Sequence, residues 1–70
     1  MGKLQNPQDW LPVGQRVNTG DLGPVSMGER HQYGEIVQHL ANGQVVVKFD
    51  DYFATWDFSA REACKFSRCH

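Results

Sequence analysis

The sequence predicts an all-β chain: a five-stranded, strongly bent antiparallel barrel with one short helical turn before the last strand. Three observations carry this. Val45-Val46-Val47-Lys48-Phe49 and Thr55-Trp56-Asp57-Phe58 are β-branched and aromatic runs on either side of Asp51-Tyr52-Phe53-Ala54, the pattern of a strand, a short loop and a returning strand. Asn42-Gly43 is the strongest turn signal in the chain, because a type I′ turn needs positive φ at both central positions, which Asn tolerates and Gly accepts freely. Ser59-Ala60-Arg61-Glu62 matches a capping box, in which the Ser side chain satisfies an amide three residues on and the Glu reaches back.

A chain of 70 residues makes one domain with a small core. We place a tail at residues 1–9, the barrel at 10–67 and a second tail at 68–70. Pro7 is expected to break any regular element in the first tail, and Trp10-Leu11 to pack over an open end of the fold. Val17 is the inward residue of a first short strand after Gly14. Residues 19–32 contain Gly20, Gly23, Pro24 and Gly28 and follow neither the strand nor the helix period, which predicts a long loop and a candidate binding element. Residues 33–40 form the second strand, Ala60 to Ala63 the helical turn, and Cys64-Lys65-Phe66 the last strand.

The two tight turns imply a register. Across Asn42-Gly43, Leu40 faces Val45, Gln38 faces Val47 and Ile36 faces Phe49; across a four-residue loop at 51–54, Phe49 faces Trp56, Lys48 faces Asp57 and Val47 faces Phe58. Both hairpins then contribute to one core of Val17, Ile36, Leu40, Val45, Val47, Phe49, Trp56, Phe58 and Phe66. Gln38 falls on the inner face, so it sits at a rim or a bulge shifts the pattern there. Val37, His39 and Val46 are expected together on the outer face, with Lys48 and Asp57 as a cross-strand ion pair.

The layout of Gly14-Gln15-Arg16-Val17, Gly34-Glu35-Ile36-Val37, the run from Val45 to Asp51, and Phe58-Ser59-Ala60-Arg61-Glu62 resembles an SH3-like barrel, and within that class is most similar to Tudor domains, over residues 13–66. The resemblance implies recognition of a methylated lysine or arginine by an aromatic cage closed with an acid, a cation–π site. Carried onto this chain, Tyr33, Tyr52, Phe53 and Trp56 are the wall candidates and Asp50 or Asp51 the anionic partner. The chain departs from that pattern in the first long loop, where a Tudor cage draws an aromatic and residues 19–32 hold no Phe, Tyr or Trp. The Gly-x-Ile-Val and Val-Val-Val-Lys-Phe segments are also similar to electron-transport accessory proteins, which bind other proteins. The type II dihydrofolate reductases share the size and class, but Thr55-Trp56-Asp57-Phe58 stands where their Val-Gln-Ile-Tyr pore segment would be.

From the residues themselves, seven Lys and Arg against eight Asp and Glu leave no basic excess of the kind that marks a nucleic-acid partner. No apolar run is long enough for a membrane span and no secretory core opens the chain, so a cytoplasmic location is expected, which the two cysteines fit. Cys64, Cys69 and His70, with His31 or His39, have poor spacing for a metal site, and no phosphate loop or catalytic triad order is present. We therefore expect no cofactor, no metal and no catalysis. The expected function is a binding module for a protein or peptide, basic or methylated, through Tyr33, Asp50, Asp51, Tyr52, Phe53 and Trp56. The alternatives are a nucleic-acid-binding barrel using Arg16, Arg30, Lys48, Arg61, Lys65 and Arg68, and an accessory subunit of a larger enzyme.

Overall fold

The computed structural model describes residues 6–69. In chain order these form α1 (Pro7–Trp10), β1 (Arg16–Asn18), β2 (Val25–Ser26), β3 (Glu29–Arg30), β4 (Tyr33–His39), β5 (Val45–Phe49), β6 (Thr55–Phe58), α2 (Ala60–Ala63) and β7 (Ser67–Cys69). Five strands make one antiparallel sheet in the order β6-β5-β4-β1-β7, and β2 pairs with β3 in a separate ribbon. The described residues are thus all-β in class, with two single α-helical turns and two short 3₁₀ turns. Among the described residues no ladder joins β6 to β7, the two edges of the main sheet.

The inner face carries the core. Val17, Ile36, Val45, Val47, Phe49, Phe58 and Phe66 are buried there as the alternation predicts, joined by Leu11 and Ala63. Phe58 stands between Phe49 and Phe66, with ring centroids at 6.0 and 4.9 Å and edge-on geometry in both pairs, an arrangement aromatic quadrupoles favour. Leu40 is only half-buried, and Trp56 lies outside the core at 43% exposed.

The misplacement of Trp56 traces to register. Val45 faces Phe58, Val46 faces Asp57, Val47 faces Trp56 and Lys48 faces Thr55, so β6 is displaced by two residues from the expected pairing. An even shift preserves which face each residue occupies, and Phe58 remains inside. The same shift moves Trp56 away from Phe49 and separates Lys48 from Asp57, so the expected cross-strand ion pair is not made.

At the other hairpin, Asn42 and Gly43 both adopt positive φ, 65° and 80°, as these residue types predict. The Leu40 N–H donates to the Gln44 carbonyl at 2.9 Å, so the loop holds Ala41, Asn42 and Gly43 and is one residue longer than expected. A bulge between Ile36 and Gln38 then absorbs a further residue, so that Ile36 faces Val47 and Gln38, now exposed, faces Val46. Val46 was expected on an open outer face and is 5% exposed; β5 has a neighbour on both sides, and these flank its outward side chains as well. His39 is also engaged, its Nε2 donating to the Leu11 carbonyl at 2.7 Å.

Residues 7–9 and 68–69, which fall within the expected tails, belong to α1 and β7. Pro7 is buried at the first position of α1, where its missing N–H costs nothing, and Asn6 caps the turn. Gln8 Nε2 donates to the carbonyls of Leu40 and Gln44 at 2.7 and 2.9 Å, latching this turn to the β4–β5 hairpin. Trp10 packs against the core as expected. The capping box of α2 is complete, with Ser59 and Glu62 each bonded to the other's backbone. Residues 64–66, however, continue the turn through bonds from the Lys65 and Phe66 amides to the Glu62 and Ala63 carbonyls, and the last strand is β7. Arg68 and Cys69, expected in a tail, pair there with Val17 and Arg16. Residues 1–5 and His70 lie outside the described residues.

Candidate binding surface

Residues 19–32 are not a structureless loop. A 3₁₀ turn (Gly20–Leu22) leads into the β2–β3 ribbon, whose tip is Met27-Gly28 with φ of 53° and 81°. Sequence patterning missed this hairpin because its strands are two residues each and Met is an unusual residue at a turn position with positive φ. Gly23 is buried where the loop closes on itself: a Cβ there would stand 1.8 Å from the His31 carbonyl oxygen. The His31 N–H in turn donates to the Pro24 carbonyl at 2.8 Å, so glycine at 23 sets the placement of His31.

The β5–β6 loop is built by four contacts. Because the outermost pair is Lys48 with Thr55, the connection is longer than the 51–54 turn expected. Asp51 adopts φ 60°, which Asp tolerates better than most residues. The Asp50 N–H donates to the Tyr33 carbonyl at 2.9 Å, and the Asp50 carboxylate receives both terminal nitrogens of Arg16, Nη1 at 2.9 Å from Oδ1 and Nη2 on Oδ2. Lys48 Nζ donates to the Phe49 and Tyr52 carbonyls, holding the loop from below. The Arg16 hydrogen bond keeps the Asp50 carboxyl below its ordinary pKa, and the same bond raises that of Arg16.

On this frame Tyr52 becomes the centre of an aromatic cluster. Its ring centroid is 4.9 Å from that of His31, 5.1 Å from Phe53 and 6.5 Å from Trp56. The long loop and the β5–β6 loop therefore meet as expected, through a histidine. The signal available in the sequence for His31 is a flat ring at the end of a loop expected to face Tyr52-Phe53. Tyr52 is half-buried and packs against the core, so it supports the cluster from beneath. Phe53 at 89% exposed and Trp56 at 43% form the open surface.

Three of the six predicted site residues, Tyr52, Phe53 and Trp56, are thus brought together. Asp51 is exposed on the same loop. Tyr33 is not part of the cluster: strand alternation places it with Glu35 on the opposite face from Val47 and Trp56. Asp50 and Asp51 border an open groove of about 470 Å³ on that opposite face, lined also by Arg16, Glu35, Val37, Lys48 and Phe49. No aromatic of the cluster lines it. Each of the other three rings meets Tyr52 at 37–59°, an aromatic platform centred on that ring.

The remaining candidates are dispersed. Among the described residues no three His, Cys, Asp or Glu side chains converge as a metal-binding group. Of the outer trio, Val46 is buried and His39 bonded to Leu11, which leaves Val37 partly exposed. No described helix is long and apolar enough to cross a membrane. Comparison with family models, with curated proteins and with solved structures finds no match to this chain.

Proposed function

We propose that this chain is a non-catalytic binding module of SH3-like architecture whose aromatic platform receives a basic segment of a protein partner, with lysine or arginine, methylated or not, laid over Phe53 and Trp56. The observation that carries the reading is the exposure of Phe53 and Trp56 on a supported Tyr52, since large aromatics held open to water on a rigid base are what interfaces use as anchors. A cation over such faces gains cation–π attraction, and Asp51 supplies a nearby negative charge. The SH3-like part rests on strand order, in which β1 lies between β4 and the last strand β7.

The charges favour a peptide over a nucleic acid. Arg16 is spent on Asp50, Lys48 on the Phe49 and Tyr52 carbonyls, and Arg30 on the Asp21 and Gly23 carbonyls, so three of the cations that a phosphate backbone would need are turned inward to the protein itself. The test is a two-dimensional NMR titration with an Arg/Lys-rich peptide, unmodified and methylated. We expect shifts at the Trp56 indole and the Phe53 amide, and an affinity loss of about tenfold in Phe53→Ala. Binding of a single-stranded oligonucleotide that weakens steeply with salt, with no response to the peptides, would reject the proposal.

A further inference from the structure

We propose that Met27, at the tip of the β2–β3 hairpin, inserts into an apolar pocket of the same protein partner, making a second point of contact beside the aromatic platform. The inference rests on the binding-module reading above. Met27 is 99% exposed and sits at φ 53° in the first position of a two-residue turn with Gly28 at 81°. Positive φ crowds any side chain with a Cβ. Asn42 and Asp51, the other non-glycine residues with positive φ among those described, are of types whose short polar side chains offset that cost by local bonding. Methionine cannot do so. A residue that costs conformational energy at the turn and gains no burial within its own chain has its compensation elsewhere, and a flexible, polarisable thioether is suited to filling a partner's pocket.

The surroundings specify that pocket. Val25, at the other end of β2, is 56% exposed and extends the apolar surface. Arg30 on β3 is folded back onto the Asp21 and Gly23 carbonyls, so Glu29 is the charge presented beside the tip. An apolar pocket rimmed by lysine or arginine complements this, and it agrees in charge with the basic segment proposed for the platform. The hairpin also runs directly into His31, whose ring lies against Tyr52, so tip and platform belong to one continuous structure.

The experiment separates stability from binding. In the full chain, Met27→Asn relieves the turn and is expected to raise Tm by about 4–8 °C, while Met27→Leu keeps an apolar tip and leaves Tm near that of the parent. A photo-crosslinking p-benzoylphenylalanine is placed at position 27, and at position 61 on α2 as control. Protein captured from cells at 27 and not at 61 is purified and titrated with each variant. We expect Met27→Asn to bind about tenfold more weakly despite its higher Tm, with Met27→Leu close to the parent. No capture at 27 above the control, or Met27→Asn binding like the parent, overturns the proposal. If Phe53→Ala alone weakens binding, the platform stands without the tip; if Met27→Asn alone does so, the tip stands and the platform reading fails.

Discussion

Arg16 in β1 and Asp50 just after β5 are joined by two parallel hydrogen bonds, although 34 positions separate them in the chain. The pair bridges the sheet from its first strand to the loop that supports the aromatic platform. Both side chains are nearly half exposed, so it orients that loop more than it stabilises the fold.

Titration follows from this geometry. The folded Asp50 pKa is depressed, chiefly by the Arg16 hydrogen bond, so the pair's contribution to stability is present above the ordinary Asp value of about 3.9 and is lost as pH falls through the folded value. Arg16→Ala should return the Asp50 carboxyl toward its ordinary range in a carbon-detected NMR titration and cost about 0.2–1 kcal/mol of stability. An unchanged Asp50 titration in that variant would mean that the pair is not formed in solution.

Gly34 is held by packing, and freedom of φ plays no part. A Cβ there would lie 2.7 Å from the Lys48 carbonyl oxygen and 2.8 Å from Val47 Cγ1, both part of the strand it pairs with. Gly34→Ala should cost about 1–3 kcal/mol in urea unfolding.

At Gly23 the expected effect is local first. The added methyl of Gly23→Ala would overlap the His31 carbonyl, so the ring of His31 should leave Tyr52. Loss of ring-to-ring nuclear Overhauser contacts between His31 and Tyr52, with the Phe49–Phe58 contacts retained, is the expected result.

The displaced register of β6 can be checked by comparing two aromatics on the same strand. Phe58→Ala should cost about 3–5 kcal/mol, because that side chain is 2% exposed between Phe49 and Phe66. Trp56→Ala should cost about 1 kcal/mol, most of it contact with Tyr52. Comparable losses at both positions would restore the pairing of Trp56 with Phe49.

Features governed by near neighbours were legible in the residues. Asn42 tolerates positive φ and Gly43 accepts it for want of a Cβ, Ser59 and Glu62 cap a turn four residues long, and the period of two in Val45-Val46-Val47-Lys48-Phe49 places Val45, Val47 and Phe49 inside. The all-β class and most of the core follow from these, since each depends on chain geometry within a few residues. What required the tertiary structure was whatever distant atoms decide. Asp50 is drawn to Tyr33 and Arg16, which lengthens the β5–β6 loop, slides β6 by two residues and brings Trp56 to the surface. Gly23 packs on His31, and His31 on Tyr52, so the platform's fourth ring comes from a loop whose composition shows no Phe, Tyr or Trp. β7 exists because β1 offers Ser67–Cys69 a ladder, and no local propensity in Ser-Arg-Cys announces it. Backbone bonding and ring packing between segments tens of residues apart outweigh local preferences of a few tenths of a kcal/mol per residue, which is why the platform could be assembled only in three dimensions.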